Sequence, residues 1–566
     1  MAVSPAEIDY NVINPSNKWR MLRVQWRYGL WALWTSIGSM MLGFDYVIGS
    51  QLAALSEFQK FFGVQQPDGS WIIPATYLSA WGAIGLGCDV IASWLAAPLL
   101  EKYGRKPLIL FSAFVSVVAI ILQQLATNWR VHLAGRAVNG AWFLVPWAGR
   151  LVEEHVADEP APGIAIGIMF TISPLWIGET CRPELRGFWL CFFNTSIIWG
   201  QMLVVIVARA TSSLDTKWQW WIPVICMYIY PFMLIVVWPF FPESPYWLVR
   251  EEKYDAARKS LERMYGFENP EFYDIEIRRL QEDVRLCEEM TGTSKSQKLI
   301  FGFLPSPTAE LQCFDKQNRK RTLTAICAAS SQQVIGAAFV IGNATYFLEL
   351  LGVKQFFDAS VVLYIIMLLS SAAAFPLSEV VGRRTLIVPS QFLLCFFLLL
   401  IGIMGCVPNQ AKAGWAIVVF IYLWAIVYQV SIGATGFVLA SEVATLRLRA
   451  VTQALVTMSN GVWGLIMQFT IPYMINPDAG HLGGKVGFIF FGLGLIVSVL
   501  GWFLYPETKG VRFEKLDELY AKGVKPRHFK KYENQTDIDN QIGSKQEEIE
   551  AESRVETKID HSAVSK

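Results

Sequence analysis

The polar positions of this chain fall in short clusters separated by long apolar runs, and the lengths of those runs fix the architecture. Uninterrupted uncharged stretches cover 107–129, 188–208, 218–242, 323–348, 359–378, 385–411, 413–441, 450–477 and 486–505. A bilayer core about 30 Å thick needs about 20 apolar residues per helix, so each run predicts one membrane span. Two further runs, 28–50 and 69–100, each contain a single acid, Asp45 and Asp89. A last span falls near 131–178, where the pattern is broken. The expected architecture is twelve membrane-spanning helices. Composition agrees: 53% of residues are apolar, 17% are charged and mean hydropathy is +0.37. A soluble chain would carry about a quarter charged residues.

Lys and Arg in the connecting segments predict the orientation. The flank before span 1 holds Lys18, Arg20, Arg23 and Arg27; the connections after spans 2, 4, 6, 8 and 10 are basic too, and the alternate ones are poorer. Both termini are therefore expected in the cytoplasm. Residues 1–27 are polar and show no cleavable signal, so span 1 is expected to direct insertion. The segments read as an N-terminal tail (1–27), a six-helix bundle (28–241), a cytoplasmic loop with solvated helices (242–320), a second six-helix bundle (321–505) and a charged tail expected to be disordered (506–566).

The two bundles repeat three motifs. Glu101-Lys-Tyr-Gly104-Arg105-Lys106 after span 2 matches Glu379-Val-Val-Gly382-Arg383-Arg384 after span 8. Glu179 with Arg186 after span 4 matches Glu442 with Arg449 after span 10, and Pro242-Glu243-Ser244 matches Pro506-Glu507-Thr508. Such duplication indicates a two-fold pseudo-symmetric transporter. Carboxylates and guanidinium groups at these helix ends can pair bidentately across neighbouring helices and latch one side of the molecule. Glu101, Arg105, Glu179, Arg186, Glu379, Arg383, Glu442 and Arg449 are the gate expected there.

On these motifs the chain resembles the sugar porter branch of the major facilitator superfamily, over roughly residues 25–510. Gly43-Phe-Asp45, Pro242-Glu-Ser-Pro-Tyr-Trp-Leu-Val-Arg250, Asn318-Arg-Lys-Arg-Thr322 and Pro506-Glu-Thr-Lys-Gly510 look most like fungal maltose/α-glucoside permeases. The resemblance implies an all-α major facilitator fold and sugar transport by alternating access in the plasma membrane. Its expected partners are a small sugar, a proton and the lipid bilayer, with the protein a monomer.

Asp45 is a functional candidate on physical grounds, because a carboxylate inside a span costs about 2.5–3.5 kcal/mol on insertion scales. The alternative is an acid that only pairs helices. The resemblance implies that Asp45 carries the coupled proton beside Arg136 of Gly135-Arg136-Ala-Val-Asn-Gly140, and that an uncoupled facilitator would have Asn there. Asp89 is a second proton candidate. A sugar site needs amides or hydroxyls and an aromatic face. Gln332-Gln333-Val-Ile-Gly336 resembles a family sugar-binding motif, although Ala338 stands where an Asn is expected. Asn194, Gln201, Asn460 and Phe437 complete the candidate substrate set; for each, helix packing is the alternative. The sequons at Asn194 and Asn343 lie inside spans and that at Asn534 lies in the tail, so none is expected to carry glycan.

Nothing in the sequence suggests an enzyme. Five His are scattered, nine Cys follow neither a disulfide nor a zinc pattern, and no phosphate loop is present. No cofactor and no nucleic-acid partner are expected at a net charge of +1. A non-transporting nutrient sensor of the same fold would ordinarily carry a longer tail.

Span 4 is anomalous. Arg136 and Glu179 lie 43 residues apart, an excess of about 23 over the spacing that the resemblance implies. Residues 141–163 carry Arg150, Glu153, Glu154, His155, Asp158 and Glu159 with three prolines, a set no single span can shelter. Removing them restores an apolar helix. The expectation is a translated intron of 23 codons; with it retained, Arg136 should be displaced from Asp45.

Overall fold

The computed structural model describes residues 18–67, 69–140, 166–267, 269–291, 313–315, 318–407, 410–444, 449–509, 516, 519–520 and 524–529. The first half holds spans 1 (Trp26–Ala53), 2 (Ala75–Tyr103), 3 (Lys106–Gln124), 4 (Trp129–Gly140 and Ile166–Thr180), 5 (Pro183–Thr211) and 6 (Trp218–Cys226 and Ile229–Val237). The second half holds span 7 (Arg319–Val334, then Ala338–Gly342 and Ala344–Leu350), span 8 (Phe356–Val381) and span 9 (Arg383–Met404). Span 10 is Gln410–Tyr428 continued by Gln429–Gly433 and Ala434–Val443, span 11 is Arg449–Ile475 and span 12 is Val486–Leu504. The twelve spans form two pseudo-symmetric six-helix bundles, the major facilitator fold.

Seven helices among the described residues are apolar and long enough to cross a membrane unaided: spans 3, 5, 6, 8, 9, 10 and 12. The other five, spans 1, 2, 4, 7 and 11, carry polar residues or breaks; spans 1, 2, 7 and 11 pack where the halves meet, and span 4 packs within the first half. The lipid-facing surface explains the exposed apolar side chains. Phe232, Phe240 and Leu369 are each about two-thirds exposed, a cost in water but none in hydrocarbon.

Span 2 packs along span 11 and span 5 along span 8, joining the halves, while span 1 packs along span 5. Both pieces of span 4 pack against spans 2 and 3. Spans 7 and 10 each contain a wide helical turn, at Ala338–Gly342 and Gln429–Gly433. Such turns release backbone groups from the regular ladder and recur at functional sites. Gly336, just before the first, has φ +100°, which a residue without Cβ adopts at low cost.

Between the halves run three amphipathic helices, Pro245–Arg250, Tyr254–Tyr265 and Pro270–Thr291. Tyr265 anchors them: its hydroxyl donates to the Thr180 carbonyl oxygen (2.9 Å) and its ring stacks on Tyr28 at 5.6 Å. Burial pushes the Tyr265 phenol up, so it stays a neutral donor. In the tail, Leu516, Leu519 and Phe529 are buried together, and the Arg321 guanidinium lies 4.4 Å from the centre of the Tyr520 ring.

Candidate functional site

Asp45 and Arg136 meet in the interior of the first half. Arg136 Nη2 lies 3.8 Å from Asp45 Oδ2 and donates to the Asp45 carbonyl oxygen at 3.3 Å. Its Nε donates to the Trp81 carbonyl oxygen at 3.0 Å, tying spans 1, 2 and 4 together. Asn139, one turn along span 4, donates to Asp45 Oδ1 at 3.1 Å. Gly49, one turn beyond Asp45, leaves room for the guanidinium, which would lie 3.6 Å from a Cβ there. Arg136 is 6% exposed and its Nη1 has no partner among the described residues. The expected displacement of Arg136 does not occur; Gly140 ends its helix just after the pair, which is made upstream of the insertion. Residues 141–163 and the side chain of Asp89 lie outside the described residues.

Arg136 borders a cavity between the halves, with Tyr46, Trp81, Asn343 and Gln468 among its walls. Its volume, about 30 Å³, suits one or two waters and not a sugar ring.

The substrate candidates lie on several spans. Gln332 is committed within the second half: it donates to the Ile432 carbonyl oxygen (3.0 Å) and accepts from the Tyr428 hydroxyl (3.4 Å). Gln333 lies against Gly464 of span 11, one turn beyond Asn460. Asn194 donates to Gln429 Oε1 at 3.5 Å across the halves. Gln201 lies two turns along the same helix as Asn194. The side-chain oxygens of Gln201, Gln333 and Asn460 are shut away from solvent without a donor among the described residues. Buried acceptors are ordinarily satisfied; the amide oxygens of Gln25, Gln51, Gln123, Asn139 and Gln391 are left in the same state among the described residues. Phe437 instead packs beside Ala325, Ala329, Ala440 and Val456.

The repeated motifs build two matching clusters on one side of the molecule, hereafter the basic face. In the first, Arg105 pairs with Glu179, whose other oxygen accepts from Ser244 Oγ at 2.6 Å. Glu243 accepts from the backbone N–H of Arg105 (3.0 Å) and Lys106 (2.9 Å). In the second, Arg383 Nη2 donates to Glu442 at 3.0 Å, Thr508 Oγ1 donates to Glu442 at 2.5 Å, and Glu507 accepts from the Arg383 N–H at 2.8 Å. Gly104 and Gly382 have φ of +85° and +97°, and a Cβ on either would come within 2.8 Å of the carboxylate of Glu243 or Glu507. Each cluster binds helices of its own half. The side chains of Glu101, Arg186, Glu379 and Arg449 lie outside the described residues.

Comparison with known proteins decides the class. The family model described as "Sugar (and other) transporter" matches residues 31–143 and 161–520. The chain belongs to this sugar transporter family. It is a multi-pass membrane transporter and not an enzyme. The sugar transporter is 23% identical to the low-affinity glucose transporter HXT3 of Saccharomyces cerevisiae, over 87% of this chain and 82% of that one. It is 26% identical to the alpha-glucosides permease MPH3 of the same species, over 88% and 78% of the two chains. Among solved structures, the proton:xylose symporter XylE bound to 6-bromo-6-deoxy-D-glucose superposes with a TM-score of 0.65 at 17% identity, over 87% of this chain and 99% of that one. The family match breaks between 143 and 161, inside the anomalous stretch of span 4.

Sequence reasoning missed Gln429, Asn139, Gln468 and Tyr428. Each is an uncharged polar residue on a span, the same signal that singled out Gln201. Glu243 and Glu507 were visible as motif members, but their capping of backbone N–H groups was not.

Proposed function

We propose that this sugar transporter is a proton symporter for an α-glucoside of the maltose class, working by alternating access in the plasma membrane, with its basic face and termini in the cytoplasm. The observation that carries the proton reading is the Asp45–Arg136 contact of 3.8 Å inside the span bundle. Protonation of Asp45 removes the charge that holds Arg136, leaving the guanidinium its hydrogen bonds to the Trp81 and Asp45 carbonyl oxygens. The strength of the contact of spans 1, 2 and 4 then depends on the proton. The amide oxygens of Gln201, Gln333 and Asn460 offer acceptors to a polyhydroxylated substrate, with sugar hydroxyls as donors. The names of the yeast permease and of the proton:xylose symporter favour the same substrate class and coupling.

Labelled maltose, glucose and xylose uptake in a transporter-null host tests this reading. Maltose accumulation should require an inward proton gradient, and Asp45→Asn should abolish accumulation while keeping exchange of sugar across the membrane. Equal accumulation with the gradient collapsed would refute proton coupling.

A further inference from the structure

The halves are joined by polar contacts on the face opposite the basic clusters. Gln51 Nε2 donates to Thr345 Oγ1 at 2.6 Å, Asn476 Nδ2 to the Ile73 carbonyl oxygen at 2.8 Å, and the Ala75 N–H to Asp478 Oδ2 at 2.9 Å. Arg209 pairs with Asp358 at the exposed rim. One member of this set is chemically different. Glu349, at the end of span 7, accepts from Gln59 Nε2 at 2.8 Å, and the same Gln59 nitrogen donates to the Ala53 carbonyl oxygen. Glu349 Oε2 is shut off from solvent with no partner, and no cation lies within ion-pair distance of it among the described residues.

The charged groups around it are already engaged or carry no positive charge. On its own helix is Tyr346, which interacts electrostatically with both Glu349 and Asp478. The short helix bearing Gln59 contributes Glu57 and Lys60, which pair with each other. Span 8 contributes Asp358, held by Arg209. Asp478 lies at the first N–H of span 2, where a helix N-terminus favours an anion. Glu349 lies at a helix C-terminus, where the carbonyl ends disfavour one. An ionised carboxylate with one enclosed, partnerless oxygen costs far more than the neutral acid, which leaves only an unpaired O–H.

We propose that Glu349 is a second proton-binding group of this transporter, and that the halves close on this face only when its carboxyl holds a proton. On closing, the carboxylate takes a proton from hydronium in the adjacent medium and releases water; on opening, it returns the proton to the same side. The proposal rests on the alternating-access reading but not on coupling at Asp45.

The test is labelling of Ser50→Cys by a membrane-impermeant maleimide from that side, in the full-length transporter carrying Cys406→Ser. Ser50 is 7% exposed and lines the cavity beneath the contact, and Cys406 is the exposed native thiol among the described residues. Because maleimide reacts with the thiolate, labelling at each pH is expressed relative to the same thiol in the denatured protein; that ratio should rise about tenfold or more from pH 5 to pH 8, since release of one coupled proton changes an equilibrium about tenfold for each pH unit over which it acts. It should rise equally in Asp45→Asn, and should stay low and flat in Glu349→Gln. Gln59→Lys supplies a cation to the ionised acid, so its labelling should also stay low at pH 8; this arm carries the test if Glu349→Gln fails to reach the membrane. A rise that persists in Glu349→Gln or Gln59→Lys, or that vanishes in Asp45→Asn alone, overturns the proposal. Sugar accumulation in Asp45→Asn separately reports on coupling.

Discussion

At position 136 the choice of arginine follows from what the side chain must reach. Its Nε serves the Trp81 carbonyl oxygen while Nη2 serves Asp45, two directions that a single ammonium cannot cover. Arg136→Lys should therefore lower the initial rate of sugar uptake by about tenfold or more, from the loss of one charge-assisted hydrogen bond worth about 1.5–3 kcal/mol. Surface expression measured in parallel separates this from misfolding. Two glycines are constrained in a different way. A Cβ on Gly43 would stand 2.0 Å from the Ile197 carbonyl oxygen, and one on Gly200 would stand 1.9 Å from that of Met40. Spans 1 and 5 thus touch backbone to backbone, as small residues allow in membranes. Gly200→Ala should lower thermal stability by about 1–3 kcal/mol, read by gel filtration of the heated detergent extract. Gly85→Ala, which meets nothing within 4 Å, should leave it unchanged. Asp45 was legible in the sequence because a charge inside an apolar run is conspicuous, and Arg136 because the family resemblance sets it beside that acid. Gln59 and Gln429 were not, because an amide acquires its role only from the partner that tertiary structure brings to it.

Among the elements, the repeat after spans 2 and 8 was legible as motif but not as energy. The first cluster is the drier: Arg105 and Glu179 are 6% and 11% exposed, against 19% and 21% for Arg383 and Glu442. Removing one partner of a buried pair leaves an uncompensated charge at a cost of about 3–5 kcal/mol, and the penalty shrinks with solvent access. Arg105→Ala should thus destabilise the protein more than Arg383→Ala, measured as the difference in thermal midpoint in detergent. The reverse order would mean that the two clusters are not equivalent in the way their matching hydrogen bonds suggest. Tyr265 makes a smaller claim at the same scale. Tyr265→Phe keeps the stack on Tyr28 and loses only the bond to Thr180, so it should cost about 1 kcal/mol. Hydropathy picked out the lipid-facing spans easily. Spans 1, 2, 7 and 11 score lower, since a helix that lines the meeting of two halves must carry polar groups, and span 4 was hard to read because its pattern is broken.

For the molecule as a whole, span 4 is where sequence and fold pull apart, and deletion of residues 141–163 is the informative experiment. The fold needs one helix here, and both described pieces pack against the same neighbours, spans 2 and 3. Joining residues 129–140 directly to 164–180 gives a helix of the same length as the 29-residue helices of spans 2 and 5. The family match passes from 143 to 161 without a counterpart for what lies between. Charged residues and three prolines within a span would cost several kcal/mol apiece unless they left the bilayer core. The Asp45–Arg136 contact lies before the break and Glu179 after it, so both sites gain if the helix is continuous. The deletion variant should reach the membrane in greater amount, keep Arg105 paired with Glu179, and transport at least as fast per molecule as the full chain. Sequencing the spliced message is the independent check, with codons 141–163 expected to be absent. A mature transcript that keeps them, together with a deletion variant that loses uptake at normal surface expression, would make the segment a working part of the transporter.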